Sequence, residues 1–317
     1  ATVVALGGFM IPALLDNGYP EKYTLGLMTT SPNLGVTIPP SIGMILYSMI
    51  SNVSLEGLFL TGFLPGLMIM GGVCLYTYLF FRKKPEIVRM PVPSFRETLA
   101  VLKEGFWSLM LPVIIFGGIF SGAFTANEAA VVACVYAFIV ELFIHRSMKF
   151  SAVKQITVNS AVTSATLLII VAGATCFGRL MTLENIPGKI TEAVLMAVDS
   201  PVMFLLAMNI LLLVVGMFMD IISATMILGP VFLPMLDAFG VSWMHFGLIM
   251  TVNLAIGYCT PPMGVSLYIT GAIANRDLVY VSKAVIPFIL IQIAVLMLIT
   301  YLPDTVLWLP RMMGFTE

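Results

Sequence analysis

Charge is scarce in this sequence. Of 317 residues only 10% are Asp, Glu, Lys or Arg, where a soluble domain carries roughly a quarter. Hydrophobic residues make up 60%, and the mean hydropathy is +1.05. So little charge cannot cover a water-facing surface, and lipid must be the solvent for much of the chain. The net charge of −1, with no basic patch interleaved with aromatics, argues against nucleic-acid binding. Cysteine is sparse as well. Cys74, Cys134, Cys176 and Cys259 all lie in apolar stretches without a Cys-x-x-Cys pair, and they read as free thiols packed like small hydrophobes. His145 and His245 sit at segment ends with no ligand-like spacing, which argues against a metal centre. There is no Walker motif and no Gly-x-Ser-x-Gly, so ATP hydrolysis and serine chemistry have no support. The chain carries no signal-peptide pattern and no initiating Met, and it is expected to start inside a longer protein.

What is present is a series of apolar runs, read against the roughly 20 residues that a spanning helix needs. Residues 1–15 form a short apolar piece, and 23–51 a long one interrupted by Pro32, Gly35 and Pro39-Pro40. Clean spans are expected at 58–81, 107–124, 129–144, 160–180 and 279–302, with a short surface helix at 94–103 and an interfacial one at 190–198. Residues 201–216 and 221–239 are two apolar arms around Met217-Phe218-Met219-Asp220, either a re-entrant hairpin or two short helices, and 244–274 is broken at 257–264. Six of the 15 basic residues (Arg82, Lys83, Lys84, Arg89, Arg96, Lys103) fall in one loop, which the positive-inside rule places in the cytoplasm. Arg146, Lys149 and Lys154 follow two spans later on the same side, and Arg276 and Lys283 mark another inside loop.

One unit is written twice. Ala1-Thr2 aligns with Ala224-Thr225, Pro12 with Pro234, Gly18 with Gly240, Gly26-Leu27 with Gly247-Leu248, Pro39-Pro40 with Pro261-Pro262, Gly43 with Gly264, and Pro65 with Pro287, at offsets of 221 to 223. Chance rarely holds a register over about 65 residues. The basic loops give the copies opposite orientations, and inverted repeats with interrupted helices are the sequence mark of secondary transporters. The second copy is preceded by residues 107–223 and the first by nothing, so by symmetry roughly 100 residues are expected ahead of Ala1.

Chemistry is expected at the two breaks. A Pro-Pro pair removes two N–H donors, and freed carbonyls in lipid are costly unless they line a cavity or hold an ion. Thr37-Ile38-Pro39-Pro40-Ser41 and Cys259-Thr260-Pro261-Pro262-Met263 each follow a glycine, Gly35 or Gly257, and carry hydroxyls. Neutral oxygens suit a weakly held monovalent cation better than Ca²⁺, and half-helix N-termini favour an anionic substrate. The bland alternative is a proline kink sealed by a neighbouring helix. At the arm tip, Asp220 is an intramembrane acid, a helix N-cap, or both. Asn127-Glu128 reads as a helix start, Arg179 as a snorkelling or substrate-attracting cation, and Ser160, Thr163, Ser164 and Thr166 as interhelical glue.

Taken together, Asn33-Leu34-Gly35-Val36-Thr37-Ile38-Pro39-Pro40-Ser41, Phe124 to Ala130, Gly216 to Asp220 and Tyr258 to Gly264 resemble the large membrane subunit of TRAP transporters, with a lean toward its sialic-acid branch. The resemblance implies an all-α polytopic bacterial inner-membrane protein with inverted repeats, re-entrant hairpins and unwound helices in an elevator-type architecture. It assigns residues 1–57 and 201–278 to transport segments, and 58–200 and 279–317 to scaffold. It implies sodium-coupled uptake of an organic acid, sialic acid or a C4-dicarboxylate, delivered by a periplasmic binding protein, with a small four-helix membrane subunit as brace. One sodium site would use Gly216, Gly257, Thr260 and Met263, and the other Gly35, Thr37 and Pro39. Ser41, Asp220, Ser223 and Thr225 are the candidate substrate residues. An ion channel is the competing reading, weakened by the lack of a filter-like loop or charged ring. An intramembrane enzyme would need a partner for Asp220 that the sequence does not show.

Overall fold

The computed structural model describes residues 2–82, 93–198 and 200–315, all of whose regular elements are helical. Lys83, Lys84 and Arg89 of the basic loop lie outside the described residues. Among the described residues, seven helical stretches are long and apolar enough to cross a membrane, or eight if one pair bent by 68° counts as a single span. The chain divides into two compact units, Ala1–Val88 with Gly173–Glu317, and Arg89–Ala172.

In the first unit α1 (Thr2–Asp16) ends at Gly18, whose φ is +79°. The first interrupted helix then runs through α2 (Glu21–Thr30), a 3-10 turn (Ser31–Asn33), α3 (Leu34–Thr37) and, beyond the Pro39-Pro40 break, α4 (Ile42–Ser51). α5 (Leu55–Phe81) is one continuous helix of 27 residues with Pro65 inside. Past the second unit the pattern returns. α11 (Pro201–Phe218) and α12 (Ile221–Phe239) are joined by two residues, and Phe204 stacks on Phe239 at 4.3 Å. The start of one arm therefore lies beside the end of the other, and the two form a hairpin. α12 ends at Gly240 (φ +63°), α13 (Trp243–Gly257) and α14 (Val265–Ala274) flank the second break, and α15 (Leu278–Tyr301) carries Pro287 inside. α10 (Ile186–Ala197) packs against α12, and α16 (Asp304–Met312) against α5.

The repeats match in backbone detail. Both Pro-Pro bonds are cis, and α4 and α14 both end on an asparagine in the left-handed region, Asn52 and Asn275. Three contacts fix the relative direction of the two interrupted helices. Thr29 reaches Thr270, Asn33 reaches Cys259, and the Tyr47 hydroxyl donates to the carbonyl of Trp243. Moving up one helix is thus moving down the other, and the copies are inverted. α5 and α15 agree, because Gly72 faces Ile291 while Tyr76 meets Phe288.

Each arm leans on the other repeat. α12 runs parallel to α4, with Ile221 at Gly43 and Ile50 at Gly229, and α1 runs along α14, with Gly7 at Ile273.

The second unit holds α6 (Phe95–Glu104), α7 (Phe106–Phe120), α8 (Ala126–Ile139) and the first part of α9 (Phe150–Leu183). α6 is the expected surface helix. Ser94 and Glu97 close a capping box, and Phe95, Leu99 and Leu102 make an exposed apolar stripe at helical spacing. Glu128 closes a second box with Thr125, so Asn127-Glu128 is indeed a helix start. Two expectations change here. Thr163 and Thr166 are back-bonded to the carbonyls of Asn159 and Val162 in their own helix rather than gluing helices together. The 160–180 span is also longer than expected, because the polar residues from Phe150 onward include no helix breaker. The cysteines change as well, with Cys74, Cys134 and Cys176 exposed and only Cys259 packed inside.

Candidate functional site

The hairpin tip and the two breaks meet. Gly216 near the end of α11 lies against Gly257 at the end of α13 so closely that a Cβ on Gly257 would sit 2.7 Å from the Cα and carbonyl carbon of Gly216. Only two glycines allow backbones to approach this way. The second break then turns tightly. Thr260 N–H donates to the Gly257 carbonyl (2.9 Å), Gly264 N–H to Thr260 (3.2 Å), and the Thr260 hydroxyl to Ile256 (2.7 Å). A hydroxyl that has donated its proton into its own helix turns its lone pairs outward as an acceptor. Gly216, Gly257 and Thr260 thus fall together, and Met263 sits on the same loop with half its surface exposed. These oxygens are all neutral, which fits a monovalent cation better than a divalent one.

Around the first break the picture differs. Thr37 is buried and its hydroxyl donates to Asn33 (3.1 Å), while its carbonyl presses on α5 at Gly62. Ile38 fills the space above Gly66, and Pro39 lies beside Gly62. Gly35 is exposed with nothing near its Cβ direction. Thr37 and Pro39 are therefore held by α5 through small residues that the sequence reading passed over.

A cavity of about 440 Å³ opens between tip and breaks, lined by Gly35, Pro40, Ile42, Gly43, Asp220, Ile221, Ile222, Tyr258 and Ser266 among others. Three helices point their N-termini at it: α4 through Ile42 and Gly43, α12 through Ile221 and Ile222, and α14 through Ser266. The positive dipole ends of three helices make this a place for negative charge. Asp220 lines the cavity and also caps α12, its Oδ2 accepting from Ser223 N–H at 3.0 Å. The helix-cap reading of Asp220 therefore holds, and the same residue lines the cavity. Ser41 and Thr225 are buried at 1% exposure each, and their hydroxyls have no hydrogen-bond partner among the described residues. A buried hydroxyl left this way is poised for a ligand or ordered water. Ser223 is half-buried beside the tip.

Sequence reasoning missed the polar struts behind the cavity. The Asn33 amide donates to Gln292 (2.9 Å), Gln292 donates to the Thr30 carbonyl (3.3 Å), and the Cys259 thiol lies 3.2 Å from both Thr29 O and Asn33 Oδ1. A second strut joins α11, α13 and α15 through Asn209, Asn253 and Thr300. An amide inside an apolar span is the signal that would have flagged them. Gln292→Leu strands the Asn33 amide and is expected to cost about 1–2 kcal/mol in the membrane, read as a lower midpoint of thermal unfolding in detergent. An unchanged midpoint would remove the strut from the account.

Residues 1–305 match the family model described as "Tripartite ATP-independent periplasmic transporter, DctM component". The chain is 38% identical over 316 residues to a C4-dicarboxylate TRAP transporter large permease protein of Pseudomonas aeruginosa, covering 100% of this chain and 74% of that one. It is 37% identical to the isethionate TRAP transporter permease protein DctMQ of Oleidesulfovibrio alaskensis, over 96% of this chain and 48% of that protein. It is 34% identical to the sialic acid TRAP transporter large permease protein of Vibrio cholerae, over 97% and 72% respectively. The chain therefore belongs to the DctM component family of tripartite ATP-independent periplasmic transporters, a family of inner-membrane transporter permeases rather than enzymes.

Proposed function

We propose that the chain carries an organic acid across the inner membrane with sodium as the coupling ion. The observation behind this reading is the convergence of three helix N-termini on one 440 Å³ cavity, with the buried, unpartnered hydroxyls of Ser41 and Thr225 on the same helix starts behind its lining residues. A carboxylate substrate gains from the helix ends. Asp220 is a poor neighbour for that carboxylate and a good one for a hydroxyl or amide donor, and Ser41, Ser223 and Thr225 offer further hydrogen bonds. Sodium is the co-transported cargo. The neutral oxygens of Gly216, Gly257, Thr260 and Met263 would hold one ion, and those of Gly35, Thr37 and Pro39 would contribute to another. Residues 1–57 and 201–278 would shift as transport segments against 58–200 and 279–317 as scaffold, in an elevator motion. A small four-helix membrane subunit would brace the scaffold, and a periplasmic binding protein would deliver the substrate.

Two substrate classes compete. The sequence resemblance leans to sialic acid, but the higher identity, 38% against 34%, is to the relative named for C4-dicarboxylates. Proteoliposomes containing the complete permease and its partners, supplied with labelled sialic acid or succinate, separate them. Uptake of one acid should collapse when the sodium gradient is removed. Uptake undiminished without the gradient would sink the coupling, and conductance without substrate would favour a channel.

A further inference from the structure

A second, separate cavity of about 460 Å³ lies between α2, α5 and α15. Its chemistry splits into two halves. One rim is polar, with Lys22 from the start of α2 and Lys283 from the first turns of α15, both exposed, beside Glu21 and Tyr280. The floor is apolar and aromatic, made by Tyr76, Phe80, Pro287 and Phe288. Tyr23 fixes that floor, 5.3 Å from Phe80 and hydrogen-bonded to Thr77 at 2.7 Å, and Tyr76 meets Phe288 edge-on at 5.2 Å.

The nearby Arg276 is already spent. Its guanidinium pairs with Glu21 at 2.5 and 3.1 Å, and the Tyr280 hydroxyl donates to the same carboxylate. Neither lysine shares in an ion pair among the described residues. Lys22 instead holds its ammonium 5.5 Å from the Tyr280 ring centre, at the mouth of the groove. Two positive charges therefore stand uncompensated over an apolar floor. Both long helices also expose apolar side chains close in sequence to that floor, Ile286 and Leu290 on α15 and Leu75 and Leu79 on α5. In the positive-inside orientation the mouth lies at the cytoplasmic headgroup level, where anionic lipids concentrate.

We propose that this groove seats an anionic phospholipid of the cytoplasmic leaflet, with its phosphate between Lys22 and Lys283 and an acyl chain laid over Tyr76, Phe80 and Pro287. Charge complementarity selects the headgroup, and the length of exposed apolar face selects a chain-bearing ligand over free phosphate. The binding claim stands apart from the transport reading. One consequence rests on that reading: the lipid would bridge the interrupted helix to the paired helices α5 and α15, and so would favour one position of the transport segments.

The full-length permease, purified with its companion subunits, tests this by native mass spectrometry against phosphatidylglycerol and phosphatidylethanolamine. Wild type should retain phosphatidylglycerol preferentially, and millimolar inorganic phosphate should not displace it. Lys22→Gln with Lys283→Gln should weaken that retention about thirtyfold, and either single change about fivefold. Lys103→Gln, outside the groove, should leave it intact. Both groove lysines are exposed, so the double variant should unfold at the wild-type temperature in lipid-free detergent. Equal retention of the two lipids by wild type, or unchanged retention in the double variant, would overturn the proposal. So would a cross-link from Lys283→Cys to a companion subunit in place of lipid, since the groove would then be a protein interface.

Discussion

Gly257→Ala should nearly abolish uptake. The added methyl meets the backbone of Gly216 at 2.7 Å and the carbonyl of Leu213 at 3.0 Å, and backbone cannot rotate away as a side chain would. The hairpin must lift from α13 at the level of the proposed sodium oxygens. Overpacking of this kind costs about 3 kcal/mol, equivalent to a loss of about a hundredfold in uptake if it falls on the occupied state. Gly35 occupies the matching position in the first repeat and gives the control. Nothing lies within 4 Å of its Cβ direction, and alanine leaves its carbonyl in place. Gly35→Ala should transport within about fivefold of wild type, since alanine favours helix by about 1 kcal/mol. Initial uptake rates in proteoliposomes at matched protein levels decide the matter. Wild-type rates for Gly257→Ala would mean that the close crossing has no part in transport.

Asp220 allows a sharper dissection because two roles share one carboxylate. Asparagine caps a helix as well as aspartate does, so Asp220→Asn should keep α12 intact while removing the charge from the cavity. Asp220→Ala removes both, and should cost about 1 kcal/mol of stability in addition. If the carboxylate contacts substrate donors, uptake should fall about ten- to a hundredfold in both variants, in line with about 1.5–3 kcal/mol for a charged hydrogen bond. Normal uptake by Asp220→Asn, paired with a lower unfolding temperature for Asp220→Ala, would leave Asp220 as a cap and nothing more.

What the sequence disclosed follows from where its information is local. A Pro-Pro pair in an apolar run shows itself within a few residues, as does an acid at an arm tip. Both breaks and the α11–α12 arms therefore appear where the pattern places them. Inversion was legible because basic loops carry direction. Partners distant in sequence were not legible. Nothing near Asn33 indicates that Gln292, 259 residues on, will take its amide proton, or that Gly62 and Gly66 clear space for Thr37 and Ile38. Hydroxyls misled for the same reason. Thr163 and Thr166 look identical whether they bond their own helix or another, and only the fold shows that they bond their own.

The crossing of arms between repeats has a consequence for biogenesis. α1 rests on α14, and Thr29 finds Thr270 only 241 residues later. At about 5–20 residues per second, that interval lasts about 10–50 seconds. Through it the emerging first half sits in the bilayer with Thr29 and Asn33 lacking their eventual mates and with one flank of α1 bare. Ribosome pausing in the second half would prolong this interval, and membrane quality control would meet a half-clasped molecule whose closing piece is still being made.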